Sequence, residues 1–150
     1  MNLEQYKYSV NESLQTFGFE SDGPNGKIKK IVRFSPQNAD GVTYFNIAFG
    51  DAVEKTENLN DQVISNNKDT VKILATVAAT ILEFTGYFPD IPVYAKGSTP
   101  ARTRLYQMGI AANWNDIEPV LKVFGFKDGK WLAFRKSINY EAFLAVRKKT

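Results

Sequence analysis

Apolar and polar residues alternate along the first third of the chain and then change period. Tyr6 to Val10 and Leu14 to Phe19 alternate in part and are rich in aromatic and β-branched residues, which predicts two short strands. Ser21 to Gly26 (SDGPNG) predicts a turn. In Lys27 to Phe34 the alternation is strict, with Lys27, Lys29, Ile31 and Arg33 on one face and Ile28, Lys30, Val32 and Phe34 on the other. The segment SPQNADG reads as a loop, and Thr43 to Phe49 alternates again. These two strands should pair antiparallel, because a short loop cannot make a parallel crossover.

Asp51 to Asn67 is polar and reads as a long loop with at most one helical turn. The period then becomes helical. Asn66 is the expected cap, Asp69 falls in the first turn, and Val71, Leu74, Ala75, Ala78, Ile81 and Leu82 form the apolar stripe. Gly86 is expected to end the helix in a left-handed conformation, with Pro89 blocking continuation.

Pro92 to Lys96 predicts a strand, Gly97 a turn, and Thr99 and Pro100 the cap and first position of a second helix reaching about Ala112. Leu105, Met108, Ile110 and Ala112 would be its apolar side, with Gly109 weakening the last turn. NWNDIEPVL suggests a further helical turn. Leu121 to Phe126, the pair Asp128-Gly129 and Trp131 to Arg135 predict a hairpin, and Ala142 to Arg147 reads as a final strand in preference to a terminal helix. The expected fold is a single α+β domain over 1–150. It has a mainly antiparallel sheet of about six to seven strands and two main helices, in the order ββββα-βα-ββ(β).

Composition narrows the chemistry. With 43% hydrophobic and 23% charged residues, a chain of 150 residues can bury a core without staples. It has no cysteine and no histidine, which excludes disulfides, thiolate or imidazole catalysis and Cys/His metal sites. No metal or cofactor is expected. Asp51, Glu54, Glu57 and Asp61 recur at helical spacing and read as a solvated loop. The N-terminus lacks a secretion-signal pattern, and the longest apolar run, Val71 to Leu82, is interrupted by Lys72, Thr76 and Thr80. The expected location is cytoplasmic, with no membrane contact.

Charge is uneven. Residues 1–90 carry 8 Lys/Arg against 12 Asp/Glu, and residues 91–150 carry 11 against 4. The basic balance lies where the second helix begins. A helix N-terminus carries roughly half a positive charge and favours an acidic neighbour, yet Lys96, Arg102 and Arg104 crowd this one, and no carboxylate stands between Asp90 and Asp116. With Gly97, Ser98 and Thr99 they make an expected anion-binding site. Arg102 shares a helix face with Tyr106 and is the stronger candidate; Arg104 points elsewhere and reads equally well as a structural ion-pair partner. The loop matches neither the Walker pattern nor a dinucleotide fingerprint.

Lys27, Lys29 and Arg33 offer a nucleic-acid track along one strand face, weighed against a plain solvated face or a lysine-guarded edge. Tyr6, Tyr8, Phe17, Tyr44, Trp114 and Trp131 could stack bases on a sheet or fill the core. Asp51 and Tyr106, with Lys96, are the available acid-base groups if the chain is an enzyme.

The segments FNIAFGD (45–51), SNNKDTVKILATVAATI (65–81), KGSTPARTRLYQMGI (96–110) and NYEAFLAVRKK (139–149) resemble an uncharacterised bacterial family, a domain of unknown function of about this length. The resemblance implies a bacterial, cytoplasmic protein and assigns no activity.

The leading expectation is a phosphate-backbone, nucleic-acid-binding module, dimeric and regulatory. The alternatives are a histidine-free enzyme acting on a nucleotide or phosphorylated substrate, in the manner of an RNase, and one half of a small paired regulatory system that grips a protein partner.

Overall fold

The computed structural model describes residues 3–52, 59–60 and 67–149. They form β1 (Ser9–Val10), β2 (Thr16–Gly23), β3 (Gly26–Ala39), β4 (Val42–Ala52), β5 (Leu59–Asn60), α1 (Thr70–Tyr87), β6 (Val93–Ala95), α2 (Pro100–Ala112), α3 (Trp114–Ile117), β7 (Leu121–Lys127), β8 (Lys130–Ala133) and β9 (Ala142–Arg147). The fold is α+β, as the pattern predicts. One sheet runs β1-β2-β3-β4-β6-β9-β7-β8, with β5 attached to β4, and every pairing but β4 with β6 is antiparallel. β1 keeps two residues of the strand expected over Tyr6 to Val10, and β5 is an addition, a two-residue strand paired to β4 within the segment expected as a long loop.

The N-terminal strands are longer than the turn residues suggest. Ser21 and Asp22 pair with Ile28 and Lys27, so the expected turn over 21–26 narrows to Pro24-Asn25 between the paired Gly23 and Gly26. The expected loop at 35–41 is likewise strand as far as Ala39, and only Asp40 (φ 52) and Gly41 (φ 80) make the turn. Both lie in the left-handed region, as a two-residue hairpin requires. Pro36 is tolerated within β3 because it lies opposite Phe45, whose own N–H turns away to the carbonyl of Pro92 at 2.9 Å. The missing N–H of Pro36 therefore points to the side where β2, which ends its pairing at Arg33, is no longer present.

From β4 the chain crosses over through α1 and returns as β6, parallel to β4. The core forms where α1 meets this crossover. Phe84 stacks on Phe34 at 3.9 Å between ring centroids and meets Phe45 edge-on at 4.7 Å. The buried side of α1 keeps Leu74, Ala75 and Ala78 of the predicted stripe but not Val71, which is 61% exposed, and it adds Ile73, Thr76, Val77, Thr80, Phe84 and Thr85. Polarity misleads because the threonine hydroxyls donate within the helix, Thr76 to the carbonyl of Lys72 and Thr80 to that of Val77, both at 2.7 Å. So satisfied, they pack as apolar shapes.

Both ends of α1 also differ from expectation. The residue before the helix is Asp69; the expected cap, Asn66, lies outside the described residues. Gly86 sits inside the helix without a positive φ. At this end the Phe88 amide donates to the carbonyl of Phe84 at 3.1 Å, and Arg147 of β9 donates Nη1 to the carbonyl of Leu82 at 2.9 Å and to Thr85 Oγ1 at 3.2 Å.

Thr99 caps α2 as predicted, its Oγ1 accepting from the Arg102 amide at 3.2 Å, with Pro100 in the first turn. The apolar side does not follow the prediction. Met108 is 45% exposed, and the buried residues are Arg102, Thr103, Gln107 and Gly109. Gly109 lies against Leu74 of α1, where an added Cβ would make only an ordinary contact at 3.5 Å. Both helices lie over one face of the sheet, and no described element covers the other. Among the described residues no helix is long and apolar enough to cross a membrane.

Candidate anion-binding site

β6 ends at Ala95, and the chain doubles back at Gly97 to enter α2. The Gly97 amide donates to Thr103 Oγ1 at 3.0 Å, and the Thr103 amide donates to the carbonyl of Thr99 at 3.0 Å. A Cβ at Gly97 would stand 2.4 Å from the Thr103 nitrogen, so only glycine lets the loop press this closely on the helix. The fold-back opens a pocket of about 460 Å³ at the helix N-terminus, walled by Lys96 to Pro100, by Thr103, Arg104 and Gln107 of α2, and by Asn139 to Glu141. That volume accommodates a nucleotide-sized group.

Lys96 and Arg104 are both exposed at this wall. Glu141 is the one carboxylate among the wall residues, and its Oε2 accepts from the Asp128 amide at 3.3 Å. Tyr140 closes the inner end with its ring over Gly125 of β7. Its hydroxyl accepts from the Arg135 amide at 3.0 Å and donates to the carbonyl of Ala133 at 3.2 Å. Gln107 is 7% exposed; its Nε2 reaches the carbonyl of Lys136 at 3.5 Å, while its Oε1 is buried with no hydrogen-bond partner. An orphaned buried acceptor is uncommon in a folded protein and costs about 1–3 kcal/mol. Pro100 has no N–H, and the amide of Ala101 has no acceptor among the described residues. The pocket thus presents two cations at a helix N-terminus with an uncapped amide.

The structure brings Lys96, Gly97, Ser98, Thr99 and Arg104 of the predicted set to this pocket. Arg102 turns the other way: it is 6% exposed, donates Nη2 to the carbonyl of Phe49 on β4, and lies over the Phe49 ring. Position 102 thus faces the sheet and position 104 faces solvent. Asp51 pairs with the buried Lys30 opposite it on β3. Tyr106 donates its hydroxyl to the carbonyl of Ile47 at 3.5 Å. Neither Asp51 nor Tyr106 lies among the pocket walls, so the acid-base set proposed for an enzyme is not assembled there. Glu54, Glu57 and Asp61 lie outside the described residues.

Lys27, Lys29 and Arg33 lie on the sheet face opposite the helices, where Lys27 stands across from Asp22 and Lys29 across from Glu20. Cross-strand acids answer two of the three cations in that track. The sequence reading missed Gln107, Asn139, Tyr140 and Glu141. A signal existed for the first: Pro100, Thr103, Arg104 and Gln107 share one polar side of α2 at helical spacing. None existed for 139–141, which tertiary folding alone brings to the helix.

A family of unknown function, DUF6934, matches the chain over residues 2–148. The chain belongs to that family. No curated protein and no solved structure matches it.

Proposed function

We propose that the pocket at the start of α2 binds a phosphate group of a nucleic acid, with Lys96 and Arg104 meeting its charge. Ser98, Thr99 and the Ala101 amide complete the rim. The observation that carries this reading is the convergence of two exposed cations, Lys96 and Arg104, on one pocket at the N-terminus of α2. A phosphate answers the cations and the helix end. Such a binding module needs no catalytic group, and its setting is the bacterial cytoplasm.

Electrostatic binding of this kind releases counterions and weakens steeply with salt. Fluorescence anisotropy with labelled oligonucleotides tests it. Affinity should fall with added salt, and Lys96→Ala with Arg104→Ala should lower both the affinity and the salt slope, by about one in the slope for each cation removed. An affinity indifferent to both substitutions would refute the assignment.

A further inference from the structure

The helix-free face of the sheet is where an antiparallel sheet normally turns polar side chains to water. Here it is aromatic. Tyr44 of β4, Tyr94 of β6, Trp131 of β8 and Phe126 of β7 lie in successive contact, with ring centroids 5.8, 6.2 and 5.1 Å apart and planes crossed at 58–75°. Alternation carries each of them to this face, since their neighbours Phe45, Val93 and Ala95 point into the core. Trp131 is 42% exposed. An apolar patch of this kind, with no described element over it, marks an interaction surface.

Charge at this patch selects the occupant. On β4, β6, β7, β8 and β9 no residue at a helix-free-face position is acidic, and the same face carries Lys122 of β7 and Arg33 of β3, each four residues along its strand from Phe126 and from Gln37, the partner of Tyr44. The acids of this face, Glu20 and Asp22, are confined to β2 at the far side of the sheet. The patch is also continuous with the pocket. Tyr94 of β6 is two residues before Lys96, which follows the strand's end at Ala95, and Phe126 pairs with Ala142, which follows Glu141 of the pocket wall.

We propose that this face is a stacking platform for the unpaired bases of a single-stranded nucleic acid whose backbone is held at Lys96 and Arg104; it rests on the phosphate reading above for its anchor. A duplex offers phosphates alone, because its bases already stack on one another. A single strand offers both the charge that the pocket meets and the π-faces that Tyr94 and Trp131 meet.

The test is fluorescence anisotropy of the whole chain against three labelled probes of about 12 nucleotides: an oligothymidylate, the same sugar-phosphate strand without bases, and a duplex. The oligothymidylate should bind tightest. Tyr94→Ala and Trp131→Ala should each weaken it by about five- to a hundredfold and leave the abasic strand unchanged, whereas Lys96→Ala should weaken all three probes. A second measurement does not depend on alanine variants: in Trp114→Phe the remaining indole is Trp131, and its fluorescence should respond to the base-bearing strand and not to the abasic one. If both ring variants bind oligothymidylate as the parent does while Lys96 still matters, the platform is overturned and the phosphate site stands. If no probe binds, the phosphate site falls and the platform with it. If sedimentation finds a dimer that Trp131→Ala dissociates and oligothymidylate does not, the face joins two copies of the chain and the proposal is wrong.

Discussion

The amide of Gly97 donates to Thr103 Oγ1 at 3.0 Å, and through that bond the loop after β6 is laid flat against the second turn of α2. The pocket exists because of this close approach. In Gly97→Ala the new methyl would stand 2.4 Å from the Thr103 nitrogen and 2.5 Å from the Arg102 carbonyl carbon. Both are backbone atoms that cannot swing aside. The variant should lose about 1–3 kcal/mol in urea unfolding and bind oligonucleotides more weakly than Lys96→Ala does, since the whole wall shifts.

Arg102 and Arg104 are two residues apart and should separate cleanly by experiment. Arg104→Ala should change stability by no more than about 0.5 kcal/mol, as befits an exposed side chain, while reducing oligonucleotide affinity. Arg102→Ala removes a buried guanidinium from the Phe49 carbonyl and ring, and should cost about 1–3 kcal/mol through the deserted acceptor. Denaturant titration and anisotropy on the same two variants will show whether stability and binding divide this way.

Lys30 is 4% exposed and pairs with Asp51, the carboxylate at the end of β4. Asp51→Ala takes the counter-charge from a buried ammonium and should destabilise by about 3–5 kcal/mol. The double replacement Lys30→Met with Asp51→Leu should recover much of that loss. A large fall in stability with oligonucleotide affinity retained in the folded fraction would assign Asp51 to structure.

Tyr8 donates to Glu83 Oε1 at 2.7 Å, and burial, followed by that carboxylate, pushes its phenol above the ordinary value of 10. The folded state then holds the proton more tightly than the unfolded state. The stabilisation is complete below pH 10 and is lost as pH rises through the higher folded value. Thermal melts should show stability declining above pH 10 in the parent, and Tyr8→Phe should flatten that decline.

Gly109 of α2 has no positive φ, and a Cβ there would meet Leu74 at 3.5 Å, an ordinary contact. Gly109→Ala should therefore stabilise the protein by up to about 1 kcal/mol through helix propensity. Calorimetry should find a raised melting temperature, in contrast to Gly97→Ala.

Strand alternation from Lys27 to Phe34 and from Thr43 to Phe49, the Thr99-Pro100 helix start and the Asp128-Gly129 hairpin were all legible along the chain, because each depends on residues a few positions apart. The class of fold, its mainly antiparallel sheet and its helices followed from them. Residue types also determined which chemistry is closed to a chain without cysteine or histidine. Tertiary structure decided the rest. It turned Arg102 inward to Phe49 and left Arg104 at the pocket, brought Tyr140 and Glu141 to a helix some thirty residues earlier, and made Thr76 and Thr80 core residues by satisfying their hydroxyls within α1. A local pattern specifies which side of an element a residue occupies. Which neighbour that side then meets depends on long-range packing, and at this site the neighbour sets the chemistry.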